Sequence, residues 1–307
     1  MNNVNETFET LQKSIRRVAD EKNAVILAHN YQRKEIQEIA DFVGDSLFLS
    51  RKAADTDSDM IVFCGVTFMA ETAKILSPDK KVLIPRFDAG CPMANMISAA
   101  ELEKLKNRFP KAIVVAYVNT NAEVKALSDI CCASGNAVKI IENIKNEHII
   151  FIPDKNLGAY CEKKTGKKLI LFDGYCYVHN QITIDKIKST KLKYPNAEVI
   201  AHPECPLETI EAADAVLSTE GMINYIKQSE SLEFIIATEP GIIHRLVKEI
   251  PEKKYYPVES SVECKTMKLT ELTDVYNCLK YEKYEIALDL KISEKSKKCL
   301  TNMLEYS

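Results

Sequence analysis

Three cysteines, Cys91, Cys176 and Cys264, constrain this chain more than any other feature. They lie 85 and 88 residues apart, and each closes a similar stretch: KKVLIPRFDAGC, KKLILFDGYC and KKYYPVESSVEC. Three equivalent thiols imply three equivalent repeats. If the repeats pack around a common axis the thiols meet near it, and a soft metal centre is the natural occupant of the space between them.

The repeats continue upstream of the cysteines. AVILAHNYQ (24–32), AIVVAYVNT (112–120) and AEVIAHPEC (197–205) each read as a buried parallel-type strand ending in polar residues. Sixteen or seventeen residues beyond His29, Tyr117 and His202 stand Ser46, Ser134 and Ser218, in DFVGDSLFLS, DICCASGNAV and DAVLSTEGMI. Each serine follows a short apolar strand where a helix is expected to begin, which predicts N-caps. MIVFCG, HIIFIP and EFIIAT supply third strands, each leading into a helix, and a fourth strand runs toward each cysteine.

The order is βαβαβαβ three times. It predicts an α/β fold of three pseudo-threefold-related αβα domains, each with a small parallel sheet, around a central site. The expected segments are 1–92, which includes an amphipathic helix over 7–20, then 93–177, 178–264, and a C-terminal helix-strand-helix piece over 265–307 that packs back on the body. No Gly/Ser linker separates them.

A net charge of −3 gives no basic surface for nucleic acid. No apolar run approaches the roughly 18 residues of a membrane span, and MNNVNETFET lacks the features of a secretory leader, so the expected location is the cytoplasm. Ten cysteines there favour reduced thiols and metal ligation over disulfides. The seven outside the repeat pattern (64, 131, 132, 161, 205, 278, 299) are expected to be small buried hydrophobes.

In parallel sheets, ligands bind beyond the carboxyl ends of the strands, where helix N-termini also point. Applied to each repeat, this rule gathers His29, Tyr31, Tyr117, Asn119, His202 and Glu204 with Ser46, Ser134, Ser218 and Thr219. Such a cavity suits a small polyanion carrying carboxylate or phosphate. For the three thiols the alternatives are zinc, an iron–sulfur cluster, or no metal. The chain has no C-x2-C pair of the usual structural zinc kind, although Cys176 and His179 could share one ion. Three cysteines on three repeats suit a cluster with one iron left open as a Lewis acid. No G-x-G, P-loop or G-x-S-x-G is present, which excludes the common dinucleotide, nucleotide and serine-hydrolase signatures.

The stretches ILAHNYQ (26–32), IADFVGDSL (39–47), FMAETAKIL (68–76), GCPMA (90–94), YVNT (117–120), SGNAV (134–138), DKNLG (154–158), Cys-x-x-His (176–179), HPEC (202–205), STEGM (218–222), TEPGIIHRL (238–246) and ECKTMKL around Cys264 resemble, in order, the iron–sulfur quinolinate synthases that make the pyridine ring of NAD. The resemblance implies a 4Fe–4S cluster held by Cys91, Cys176 and Cys264. It implies condensation of iminoaspartate with dihydroxyacetone phosphate, with release of phosphate and water. It also implies substrate contacts from His29, Ser46, Tyr117, Val118, Asn119, Ser134, His202, Pro203, Glu204 and Thr219. Tyr31, Glu204, His29 and His179 are the candidates for moving protons. An enzyme supplying the unstable iminoaspartate is the transient partner it suggests. Two departures stand out: Glu220 in STEGM, where a small or neutral residue is usual, and Lys-Thr-Met after Cys264, which leaves no further cysteine for a disulfide there. The rival from another class is a non-catalytic iron–sulfur carrier or sensor, and the polar strand ends argue against it.

Overall fold

The computed structural model describes the backbone of residues 2–306 and the side chains of residues 8–306. Strand β1 (Ala24–His29) is buried at all six positions, the pattern of a parallel strand covered on both faces. In the first repeat α1 (Asn2–Glu21) precedes β1, then α2 (Lys34–Ile39), β2 (Phe42–Gly44), α3 (Ser46–Asp55), β3 (Met60–Cys64), α4 (Thr67–Leu76) and β4 (Lys81–Leu83) follow. The second holds α5 (Ala99–Arg108), β5 (Ile113–Tyr117), α6 (Ala122–Lys125), β6 (Ile130–Cys132), α7 (Ala137–Asn143), β7 (Ile149–Ile152), α8 (Lys155–Thr165) and β8 (Ile170–Leu171). The third holds α9 (Ile184–Lys193), β9 (Glu198–Ala201), α10 (Leu207–Glu211), β10 (Ala215–Val216), α11 (Thr219–Gln228), β11 (Glu233–Ala237), α12 (Ile242–Glu249) and β12 (Lys254–Pro257).

The three four-stranded sheets have one order: β2-β1-β3-β4, β6-β5-β7-β8 and β10-β9-β11-β12, all parallel. The expected βαβαβαβ units are therefore present. The leading helix belongs to the repeat as well, since α5 and α9 occupy the place of α1, and α5 carries a Ser98/Glu101 capping box.

One device recurs in each copy. Asp41 Oδ2 accepts the Ile26 N–H at 2.7 Å, Asp129 Oδ2 that of Val114 at 2.8 Å, and Asp214 Oδ2 that of Val199 at 2.8 Å. The aspartate N–H returns a bond to the carbonyl of the same strand residue at 2.9, 3.1 and 2.9 Å. Each aspartate thus closes a ring onto the central strand and sets where the second strand begins.

The C-terminal segment departs from expectation. Helices α13 (Leu272–Tyr281) and α14 (Leu290–Glu305) form, but the strand between them does not. Glu282 and Tyr284 have φ of 50° and 64°, a left-handed conformation that interrupts an extended run. Among the described residues, what remains is an antiparallel bridge between Leu83 and Glu285 on the edge of the first sheet. Helix α13 packs on α1 and β3, whereas α14 lies on β6, α6 and α4, with Cys299 Sγ 2.8 Å from Cys131 Sγ. All seven cysteines outside the repeat pattern are buried. No helix among the described residues is long and apolar enough to cross a membrane.

Because the three aspartates do the same work, Asp41→Ala, Asp129→Ala and Asp214→Ala should each destabilise the fold by a similar amount. About 1 kcal/mol is expected for loss of one such partly exposed bond. Urea denaturation midpoints measure this, and unchanged midpoints would reduce the aspartates to ornament.

Candidate active site

In an open sheet of order 2-1-3-4 the chain reverses direction between the first and third strands, and a crevice opens beyond their carboxyl ends. Here that crevice occurs three times. His29 ends β1 and Tyr31 follows it, Tyr117 ends β5 and Asn119 follows it, and His202 and Glu204 follow β9. All six line a single cavity together with Ser46, Ser134, Thr219, His179 and the three cysteines Cys91, Cys176 and Cys264. Val118 and Pro203 are buried beside these positions but are not among the residues lining it. Cys205 is also turned away, its thiol donating to the Ala237 carbonyl at 3.5 Å.

Glu204 is the charge at the centre. Burial pushes its carboxyl up, but His179 beside it, with His202 and Tyr117, outweighs burial and brings it down to about 2. His179 Nδ1 lies 2.6 Å from Glu204 Oε2, and both side chains are buried. On the other side of the imidazole, Nε2 is 2.7 Å from Thr238 Oγ1, which in turn is 2.6 Å from the Tyr31 hydroxyl. A chain of exchangeable protons therefore runs Tyr31, Thr238, His179, Glu204. Burial first, and then Glu204, pushes the Tyr31 phenol well above its ordinary value, so it enters the chain as an acid.

The two strand-ending histidines are alike. The Tyr31 N–H donates to His29 Nδ1 at 3.1 Å, and the Glu204 N–H donates to His202 Nδ1 at 3.4 Å. Burial lowers both rings to about 3, against the pull of Glu204. Each is therefore a neutral imidazole with its proton on Nε2, a donor that brings no charge. The rings of His202 and His179 stack at 4.6 Å.

The thiols are held in matched ways. Asp154 Oδ2 accepts the Cys176 N–H at 3.3 Å and Glu239 Oε1 accepts the Cys264 N–H at 3.4 Å. These carboxylates sit at one place in their repeats, two residues past the third strand, where the first repeat has Val66. Burial raises Cys91 to about 12, and burial with Glu204 raises Cys176 well above its ordinary value. Cys176, His179 and Glu204 also offer ligand atoms within 4.8 Å of one another.

The serine expectation is corrected in part. Ser218 caps α11, accepting from Gly221 N–H at 3.2 Å, but it does not line the cavity. Asp45, not Ser46, caps α3, accepting from Phe48 N–H at 2.9 Å. Helix α7 is preceded by Asn136, which leaves Ser134 in the turn before it. Ser46 and Thr219 are instead the first helical residues after aspartate and serine caps, and they reach the cavity from there. Asp45, Thr238, Glu239 and Asp154 are the functional neighbours that sequence reasoning missed. All four stand inside stretches already singled out: Asp45 in DFVGDSLFLS, Thr238 and Glu239 in TEPGIIHRL, and Asp154 in DKNLG.

No lysine or arginine lines the cavity among the described residues. Asn119 Oδ1 is buried there without a protein partner. Helix ends, hydroxyls and neutral rings are what the lining offers an anion.

Ionisable groups buried at three strand ends and joined through a hydroxyl and a ring have the chemistry expected of an enzyme site on a triplicated α/β scaffold. Residues 13–305 match the family model described as quinolinate synthetase A protein. The chain is 48% identical to a quinolinate synthase of Caldicellulosiruptor bescii over 97% of its length and 99% of that protein. It is 48% identical to one of Geobacter sp. strain M21 (97% and 98% covered) and 49% identical to one of Methanoregula boonei (96% and 97% covered). The chain belongs to the quinolinate synthase family and is an enzyme of NAD biosynthesis.

The neutral histidines have a measurable consequence. Below the ordinary value of 6.5 an unfolded chain protonates them, whereas the folded protein keeps them neutral to about 3. Their contribution is complete above pH 6.5 and is lost as the pH falls, by up to about 1.4 kcal/mol per pH unit for each ring. His202→Gln should flatten the dependence of urea stability on pH between about 4 and 6 by that amount, and an unchanged slope would contradict the neutral assignment.

Proposed function

We propose that the chain condenses iminoaspartate with dihydroxyacetone phosphate to quinolinate, with release of phosphate and water, and that Cys91, Cys176 and Cys264 hold a 4Fe–4S cluster. The observation that carries this reading is one cavity lined by three thiols from three equivalent loops together with neutral hydrogen-bond donors and, among the described residues, no lysine or arginine. The donor set fits such a group: burial opposes ionisation of Cys91 and Cys176 beside an ionised Glu204, so these sulfurs become thiolates only with a cation to bind. When bound, the cluster supplies a Lewis-acidic iron, left open by three-cysteine ligation, that polarises a substrate oxygen.

The protein groups supply the rest. Nε2–H of His29 and of His202, the hydroxyls of Ser46, Ser134 and Thr219, and the helix ends beneath them hold the substrate carboxylates. Tyr117 donates to Glu204 and keeps that carboxylate oriented. Asn119 Oδ1 accepts a substrate N–H or O–H. Protons leave and return through the chain from Tyr31 to Glu204 by way of Thr238 and His179, with Glu204 as the basic end and Tyr31 as the acidic end. Ten free thiols suit the reducing cytoplasm, where an enzyme producing iminoaspartate would pass it on directly.

A second reading has one observation in its favour: Cys176, His179 and Glu204 are close enough to share a single metal ion. Iron and acid-labile sulfide in anaerobically purified protein separate the two. Roughly four of each per chain, with a large loss in Cys176→Ser, is expected of the cluster. One zinc, or little iron in both proteins, overturns it. With the cluster retained, Glu204→Gln should cut quinolinate formation by about 100-fold or more and Thr238→Val by about 10-fold, the range of a lost acid–base group and of an interrupted relay. Undiminished turnover in Thr238→Val would take the relay out of the mechanism.

A further inference from the structure

Thr219 opens α11 and faces the cavity. From the first repeat, Asn30 reaches across to it: Asn30 Nδ2 donates to Thr219 Oγ1 at 2.8 Å and to Glu220 Oε1 at 3.4 Å. The amide cannot be turned around, because Arg245 Nη1 donates to Asn30 Oδ1 at 2.9 Å. Arg245 is itself held between Glu220 and, through Nε at 2.5 Å, Glu249. The unusual Glu220 of the STEGM stretch is thus engaged with Arg245 and is not among the residues lining the cavity.

A threonine hydroxyl has one proton and two lone pairs. Here one lone pair is occupied by an amide N–H, and neither Asn30 Nδ2 nor Arg245 can accept the proton. We propose that Asn30 is a positioning residue that sets the polarity of Thr219, leaving its proton to the cavity and making the hydroxyl a fixed donor to a substrate carboxylate. Glu220, Arg245 and Glu249 form the brace that fixes the Asn30 amide. The inference rests on the carboxylate-binding reading of the cavity given above, and it assigns which atoms enforce that preference and from which repeat they come.

Asn30→Asp tests it, since the shape is kept while the donor becomes an acceptor. The Thr219 proton would then turn to the introduced carboxylate, and lone pairs would face the substrate. The measurement is calorimetric titration of the anaerobic holoenzyme with succinate, a four-carbon dicarboxylate that does not react, together with steady-state kinetics. Asn30→Asp should weaken succinate binding about 10-fold and raise KM for iminoaspartate by more than it lowers kcat, as expected when a site's hydrogen-bond polarity opposes its ligand. In a Thr219→Val background the same substitution should cost less than about twofold, because the group it acts through is gone. An equal loss in both backgrounds would mean that the introduced charge acts directly, and with no loss in either the inference also fails. Succinate binding untouched by Thr219→Val alone would instead overturn the carboxylate reading itself. If Asn30→Asp does not fold, Asn30→Ala replaces it, with about a threefold loss expected in the parent and none in Thr219→Val.

Discussion

The ionised carboxylate of Glu204 is the charge felt most widely in the cavity. Its charge raises the Tyr31 and Tyr117 phenols, the Cys91, Cys176 and Cys205 thiols and the Asp154 carboxyl, and it opposes the burial that keeps His29 and His202 neutral. Such a charge survives burial chiefly because His179 lies 2.6 Å away, with His202 and Tyr117 adding to it. Much of the remaining design serves this pair: Thr238 holds the far side of His179, and Asn156 donates to the Glu204 carbonyl at 3.0 Å. An anionic centre whose lining holds, among the described residues, no lysine or arginine repels an anionic substrate. Helix ends and neutral N–H and O–H donors are the available counterweights.

The fold was legible to an unusual depth because parallel strands covered on both faces read as unbroken apolar runs, and here the runs recur in register. The sheet order follows from three copies of one short pattern. What escaped is local and conformational. The segment YEIALDL has the composition of a strand, yet left-handed Glu282 and Tyr284 prevent it, and helix α13 ends there instead. Helices α5 and α9 carry mixed charge and weak apolar stripes, which hid them as members of the repeat.

The site was legible as a set of strand ends and not as a network. His29, Tyr117 and His202 are visible because polar residues closing buried strands demand a reason. Thr238 and Asn30 are not, since a threonine after a strand or an asparagine beside a histidine is commonplace, and their importance lies in partners 59 and 189 residues away. Capping was similarly misjudged at Ser46, where Asp45 competes for the same helix N–H groups and wins.

The aspartate rings on the three central strands are identical in chemistry and in spacing, whereas the residues at and around the cavity are not: His, Tyr and His stand at the ends of the central strands, and Val66, Asp154 and Glu239 follow the third strands. Three separate copies of one such unit, assembled as a symmetric trimer, would present the same residue three times around the axis and could not offer three different groups to one molecule. Joining the copies in a single chain leaves the scaffold symmetric and frees each strand end to diverge. Inequivalence around the axis is thus a property of the covalent linkage between repeats, and three different side chains can meet one ligand.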